Sequence, residues 1–381
     1  MPKKQVRTIS VFSDHSLYTL RWISALYLAR KEFRQASVKI KFEDGFCFGL
    51  TRKFSMDGLM KHIRNQKYDI VFCSFSMLQF YSKVPDDEIF NFLKAIRPNA
   101  KTIVWLDNVD SSGTCQFQFM PYVDLYLKKQ LYKDRSLYSK KLYRDIEFAD
   151  YLHNVLGVPD VPPNRPYCLL NPKDSNKLEL SWNAAYAYQK TSRHKALEIF
   201  FFIRYLLFKH YRATYPPTDS RPFVTTYRGK EYPKTLFDYQ RAKTTEILAE
   251  ESKKRTDIPD LSTNIHGEEY MKEIRQSKSV TSPFGYGEIS FRDYDAMANG
   301  AVLIKPSMET LVTFPDLYRA NETYVPIKWD LSDYKSVIDR VSKYDEPMRQ
   351  IAENGYHAIR RVYSRQGRLD LVKHLCDVLK I

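Results

Sequence analysis

Residues 277–306 read SKSVTSPFGYGEISFRDYDAMANGAVLIKP. Ser279–Ser282 predicts a strand, Gly285 and Gly287 a loop, Phe291–Asn299 a helix and Ala301–Lys305 a second strand. Strand, loop, helix and strand in that order make the repeating step of a parallel α/β unit. Small residues at 285 and 287 let the backbone approach a ligand. The helix that follows presents N–H groups without helical partners and the positive end of its dipole, a ready site for phosphate. Arg292 falls in the first turn of that helix, where a planar guanidinium can hold a diphosphate through two parallel hydrogen bonds, a geometry lysine cannot reproduce. Asp295 lies one turn further on the same face, where its carboxylate can accept both hydroxyls of a ribose or sugar ring. Phosphate at one end and a diol at the other describe a nucleotide sugar. The plainer reading, with Gly287 as a simple turn and Arg292 in solvent, leaves the joint spacing of glycines, arginine, acid and the Ala-Met-Ala-Asn-Gly turn unexplained.

Outward from this stretch the same alternation continues. A helix over Gly267–Gln276 precedes it, and further upstream a strand at Phe223–Tyr227 leads into a long charged helix, Leu236–Lys254. In the first half, strands are predicted at Thr8–Ser13, Val38–Phe42, Tyr68–Phe75 and Lys101–Leu106, with Val123–Leu127 as a candidate fifth. Between the first two, Leu17, Leu20, Ile23, Leu26 and Tyr27 recur at helical spacing and predict a helix over 16–33. Two such halves suit a chain of 381 residues, which is too long for one ordinary core. The expected fold class is α/β, with two Rossmann-like domains facing across a cleft. The expected divisions are a first domain over 1–190, an inter-domain helix and linker over 191–220, a second domain over 221–345, and C-terminal helices over 346–381, broken near Tyr363–Gly367, that return to the first domain. Ala196–Phe208 is apolar and aromatic but carries Glu198 and Arg204, and it falls short of the ~20 apolar residues that span a bilayer. It reads as a buried inter-domain helix; a membrane-facing helix, flanked by Arg193, Lys195, Lys209 and Arg212, is the alternative. The first strand ends in Ser13, Asp14, His15 and Ser16 rather than in a G-x-G-x-x-G turn, which disfavours a simple nicotinamide enzyme.

The run Gly285, Gly287, Ser290, Arg292, Asp295, Ala296, Met297, Gly300 and Ala301 resembles the pattern G-x-G-x-x-S-x-R-x-x-E-A-x-x-x-G-A/C of exostosin-like and spore-coat CgeB-like glycosyltransferases. Tyr270 and Ser277-Lys278 look like the helix-to-strand entry of those domains, and Tyr227-Arg228-Gly229, with Arg241 in the next helix, is similar to their first strand. The resemblance covers 221–345 and is one of architecture alone over the first half. It implies the GT-B fold and an enzyme, a hexosyl- or pentosyltransferase, that moves a sugar from a nucleotide-sugar donor to a glycan or lipid-linked glycan acceptor. It places donor contacts at Arg228, Arg241, Gly285, Tyr286, Gly287, Glu288, Ser290, Arg292 and Asp295. Two departures stand out. The family's acid is usually Glu, and Asp295 is one methylene shorter. In the E-x7-E pattern of many retaining GT-B enzymes the first Glu falls on Gly287, with Glu288 one place off, so a retaining mechanism is unsupported.

In an inverting transfer the acceptor hydroxyl loses a proton as it attacks the anomeric carbon, and a carboxylate or imidazole takes it. Loops at the carboxyl ends of parallel strands open on one side. The candidates are therefore Asp14 and His15 after the first strand and Asp107 and Asp110 after the fourth, with His15 and Asp107 ranked first. Each also has a plainer reading, as a surface histidine or a turn-forming aspartate. Lys128 and Lys129 can assist an anionic acceptor or the leaving phosphates, or form a solvated basic face. No metal is expected. Asp293 and Asp295 spell D-x-D, but on a helix their side chains diverge, so the helix dipole and an arginine take the cation's part. No cofactor is expected beyond the nucleotide sugar as co-substrate.

A net charge of +15, from 60 Lys and Arg against 45 Asp and Glu, favours polyanionic partners. The basic residues are spread along the chain, without an RNP-type aromatic motif, a zinc-finger spacing or a helix-turn-helix, and no nucleic-acid partner is expected. Two rival readings remain: a basic nucleic-acid-binding protein without catalysis, and a non-catalytic GT-B relative that binds nucleotide sugar. The five cysteines are scattered and the basic N-terminus passes straight into a strand, so a cytoplasmic protein with reduced thiols is expected, with peripheral membrane contact as a variant of that reading.

Overall fold

The structure, a computed structural model, describes residues 6–14, 16–43, 55–75, 84–161, 168–187, 214–229, 235–263 and 265–381. His15 and the stretch 196–208 lie outside the described residues. Strands β1 (Arg7–Ser13), β2 (Val38–Phe42), β3 (Tyr68–Ser74), β4 (Ala100–Asp107) and β5 (Leu125–Lys128) belong to a six-stranded sheet; β6 (Gln130–Tyr132) stands apart from it, and β7 (Leu178–Leu180) completes it. The order is β2-β1-β3-β4-β5-β7, with every pairing parallel. The apolar runs of β3 and β4 explain their central place: Val71, Phe72, Cys73, Ile103, Val104, Trp105 and Leu106 are all fully buried, as strands covered on both faces must be. Helices α1 (Leu17–Leu28), α2 (Arg30–Gln35), α3 (Met56–Ile63) and α4 (Asp86–Ile96) cover it. Ser16 caps α1 by accepting the Thr19 N–H, and the helix expected over 16–33 is interrupted at Ala29, which ends α1 and starts α2.

After the short helix α5 (Glu147–Asp150), a second parallel sheet is built from β8 (Phe223–Thr226), β9 (Ser277–Thr281), β10 (Val302–Pro306) and, beyond β11 (Leu311–Thr313), β12 (Val325–Ile327), in the order β12-β10-β9-β8. Helices α6 (Tyr239–Ser252), α7 (Glu268–Gln276), α8 (Phe291–Ala298) and α9 (Tyr334–Lys343) pack with it. The chain thus has two Rossmann-like parallel units, the GT-B architecture.

Three features join the units. Strand β11 pairs antiparallel with β6, with Val312 opposite Leu131. One hydrophobic cluster runs from Phe12, Phe72 and Trp105 of the first unit to Val280, Phe284 and Tyr294 of the second. Helices α10 (Glu346–Tyr363) and α11 (Arg365–Leu379) return to the first unit, where Arg368 meets Glu32 at 3.0 Å and His374 Nε2 lies 2.9 Å from the Leu180 carbonyl. Among the described residues no helix is long and apolar enough to cross a membrane.

Candidate functional site

The sequence that opened the argument forms one wall of a cavity of about 420 Å³. Ser290, Phe291, Arg292 and Asp295 come from the start of α8, Tyr270 from α7, and Tyr227 and Arg228 from the end of β8. The start of α8 is fixed by a capping box: the Ser290 hydroxyl accepts the Arg292 N–H at 3.3 Å, and the Asp293 carboxylate accepts the Ser290 N–H at 3.1 Å. Helix α7 begins at Gly267, which has no side chain to cap it and also lines the cavity. Two helix N-termini therefore meet one space, and both make it electropositive.

Arg292 stacks its guanidinium over Tyr227, 4.8 Å from the ring centroid, and donates from Nη2 to the Arg228 carbonyl at 3.1 Å. Its Nε is buried, with no hydrogen-bond partner among the described residues. Burial pushes the Tyr270 hydroxyl up to about 12, partly offset by Arg292 beside it, so the phenol stays protonated and able to donate. Asp295, with 9% of its surface exposed, faces the same cavity. Asp293 does not: its carboxylate is buried against Lys305, Ser282 and Tyr318, so the literal D-x-D points two ways. Arg228 is engaged throughout. Its Nε and Nη2 grip Glu273 at 2.9 and 2.5 Å, and its other donors reach the carbonyls of Asp260 and Thr263 at 2.7 and 2.8 Å. It fastens the 260–263 loop beside the cavity.

The glycine turn occupies the seam between the units rather than the cavity wall. The space over Gly285 is filled by the Arg241 guanidinium, and a β-carbon on Gly287 would lie 2.5 Å from the Asp110 carbonyl oxygen. Tyr286 packs edge-on against Phe237, at 5.2 Å, and its hydroxyl reaches Thr114 at 3.4 Å. Glu288 is buried and accepts from the Ser112 N–H at 2.9 Å, the Ser112 hydroxyl at 2.5 Å and Gln130 at 3.3 Å. Burial pushes its carboxyl up from the ordinary 4.5, against the downward pull of Ser112 and Gln130. A carboxyl raised by folding favours the native state below its unfolded value and loses that contribution as pH rises through the folded one. The stability of Glu288→Gln relative to the native protein should therefore increase as pH rises above the ordinary glutamate range in paired urea titrations; a flat or falling difference would contradict a carboxyl raised by burial.

Of the aspartates after the strands, Asp14 is buried and accepts the Ser16 N–H at 3.0 Å. Asp107 is fully buried and accepts from Tyr126 at 2.5 Å, Lys128 at 3.1 Å and the Val109 N–H at 2.9 Å. Asp110 alone of the three carries a side chain substantially exposed, at 43%. No group of three or more His, Cys, Asp or Glu is placed to hold a metal among the described residues.

Tyr227 and Tyr270, which belong to the resembled pattern, line the cavity, and so do Thr245, His266 and Phe291, which the sequence reading does not mark. Phe291, 47% exposed at the first position of α8, carries a signal: an apolar ring directly before Arg292, on the turn facing the cavity.

No family profile matches the chain, and no curated protein matches it. Solved structures do. An alpha-glucosyltransferase in complex with UDP and a 13-mer DNA containing a HMU base is 10% identical over 99% of this chain and 100% of that one, with a TM-score of 0.48. A glycosyltransferase from Rickettsia africae ESF-5 is 11% identical over 99% of each chain, at 0.45. Anabaena HepE in complex with UDP-glucose is 9% identical over 97% of this chain and 99% of that one, at 0.41. These are distant likenesses, and the fold rests on the chain's own two parallel sheets.

Proposed function

We propose that this protein is a glycosyltransferase that holds a nucleotide sugar in its C-terminal unit and passes the sugar to a glycan or lipid-linked glycan acceptor. The observation that carries this reading is the cavity shared by the N-termini of α7 and α8, with Arg292 and Asp295 in its wall. The helix ends and Arg292 suit the diphosphate, the protonated Tyr270 adds a neutral donor, and Asp295 suits a pair of hydroxyls. Positive charge held there before the reaction stabilises the leaving diphosphate as its bond to the anomeric carbon breaks, the part a divalent cation plays in other sugar transfers. The turn at 285–288 joins the donor-side unit to the unit that presents the acceptor, so the seam sets the distance across which transfer occurs.

A melt panel with UDP, GDP, CMP and their sugars tests this. Ligand at a hundred times its dissociation constant stabilises the native state by about 2.7 kcal/mol, a rise of a few degrees in a chain of this size. One nucleotide family should give that rise, and its sugar should be hydrolysed slowly without acceptor. A panel with no shift at all would remove the nucleotide from the reading, and with it the transferase.

A further inference from the structure

We infer that Asp110 is the group that takes the acceptor's proton, and that Lys129 and Tyr18 are positioning residues that hold its carboxylate for the purpose; the inference rests on the donor reading above. Asp110 follows β4 at the carboxyl edge of the first sheet. Its Oδ1 accepts from Lys129 Nζ at 2.9 Å and from the Tyr18 hydroxyl, and Lys129 also donates to that hydroxyl at 3.1 Å. Tyr18 in turn lies 2.8 Å from the Asn108 carbonyl, and the Lys129 ammonium sits over the rings of Tyr18 and Trp22, at 5.1 and 6.0 Å. Lys129 is almost enclosed, at 8% exposure, whereas the Asp110 side chain is 43% exposed. One carboxylate oxygen is thus gripped twice, and Oδ2 makes no hydrogen bond to a described residue.

The backbone of the same residue is fixed to the donor-side unit. Its carbonyl accepts from Gln130 Nε2 and abuts Gly287, only three residues before Ser290 enters the cavity wall. Three residues span at most about 11 Å, so the Asp110 backbone, against Gly287, stands at the seam within about that reach of the first residue of the cavity wall. The other titratable groups that face it across the seam are Glu288, reached through Gln130, and Tyr294, whose hydroxyl feels its charge. Asp14 and Asp107 are closed off by their own hydrogen bonds, so among the described carboxylates after these strands Asp110 has the open oxygen.

In the step, the acceptor hydroxyl oxygen forms a bond to the anomeric carbon while the bond from that carbon to the phosphate oxygen breaks. The bonding pair leaves with the diphosphate, and the hydroxyl proton passes to Asp110 Oδ2. The Lys129 ammonium, 2.9 Å from Oδ1, fixes the direction of the carboxylate without touching substrate.

Hydrolysis of UDP-glucose, UDP-N-acetylglucosamine and GDP-mannose, in which water replaces the acceptor, separates the two claims when paired with calorimetry of UDP and GDP. Asp110→Asn should bind nucleotide within about twofold of the native protein and lose 10²-fold or more in turnover. Lys129→Met should also bind normally and keep its KM, with kcat lowered by about tenfold or more as the carboxylate loses its orientation, and Lys129→Arg should restore most of it. Normal nucleotide binding with Asp110→Asn turnover within threefold of native overturns this inference alone, as does a native kcat in Lys129→Met. Native protein that binds neither nucleotide overturns the donor reading and this inference together.

Discussion

Arg292→Ala should weaken nucleotide binding by more than tenfold in calorimetry while the unliganded protein melts close to the native temperature. A hydrogen bond to a charged group is worth about 1.5–3 kcal/mol, and about 1.4 kcal/mol is a factor of ten in affinity, so the loss of a two-bond grip on a diphosphate exceeds tenfold even where water replaces one bond. Folding should tolerate the change, because within the protein the guanidinium makes one backbone hydrogen bond, one ring contact and a bond to Tyr270 on the cavity wall. Removal of the side chain strands no partner of Nε, which makes no hydrogen bond to a described residue. Arg292→Lys should recover only part of the affinity, since an ammonium supplies charge without the planar fork. Asp295→Ala should lose affinity for the nucleotide but not for inorganic diphosphate, because its carboxylate is placed for hydroxyls. Nucleotide affinity unchanged in Arg292→Ala would mean that the cavity is not the donor site.

The parts of this arrangement legible in the sequence are those fixed by local periodicity. The apolar runs at 70–73 and 103–106 read directly as doubly covered strands, and the three-residue step from Arg292 to Asp295 fixes both on one helical face before any packing is known. Where partners come from another element the sequence was mute. Glu288 belongs by position to the ligand loop, yet Ser112 and Gln130, more than 150 residues earlier, take up its carboxylate. Arg228 stands at the right strand end for a phosphate, but Glu273, a turn from the end of α7, neutralises it. The β6–β11 pairing is three residues long, too short for a period to show. Asp107 and Asp110 look alike in WLDNVDSSG; the register that sets Lys128 beside Asp107 separates them, the first becoming a buried ion pair and the second an open carboxylate.

The largest loss of stability should come from beneath the site, at Lys305. Its ammonium and the Asp293 carboxylate are both fully buried, 3.0 Å apart, and Asp293 also accepts from Ser282 at 2.5 Å, Tyr318 at 2.9 Å and the Ser290 N–H at 3.1 Å. Burial pushes the Lys305 ammonium down from its ordinary range, against the pull of Asp293. Lys305→Met strands a carboxylate in the core, a change that costs about 3–5 kcal/mol, whereas Lys305→Met with Asp293→Asn removes both charges and should cost less than the two single changes added together. Chemical denaturation of the four proteins gives the coupling directly. Because Asp293 also closes the capping box of α8, Lys305→Met should carry Arg292 and Asp295 out of register and weaken nucleotide binding together with stability, whereas in Arg292→Ala binding falls and stability holds. A cost under about 1 kcal/mol, or strictly additive costs, would show that the buried pair does not anchor the helix presenting the donor contacts.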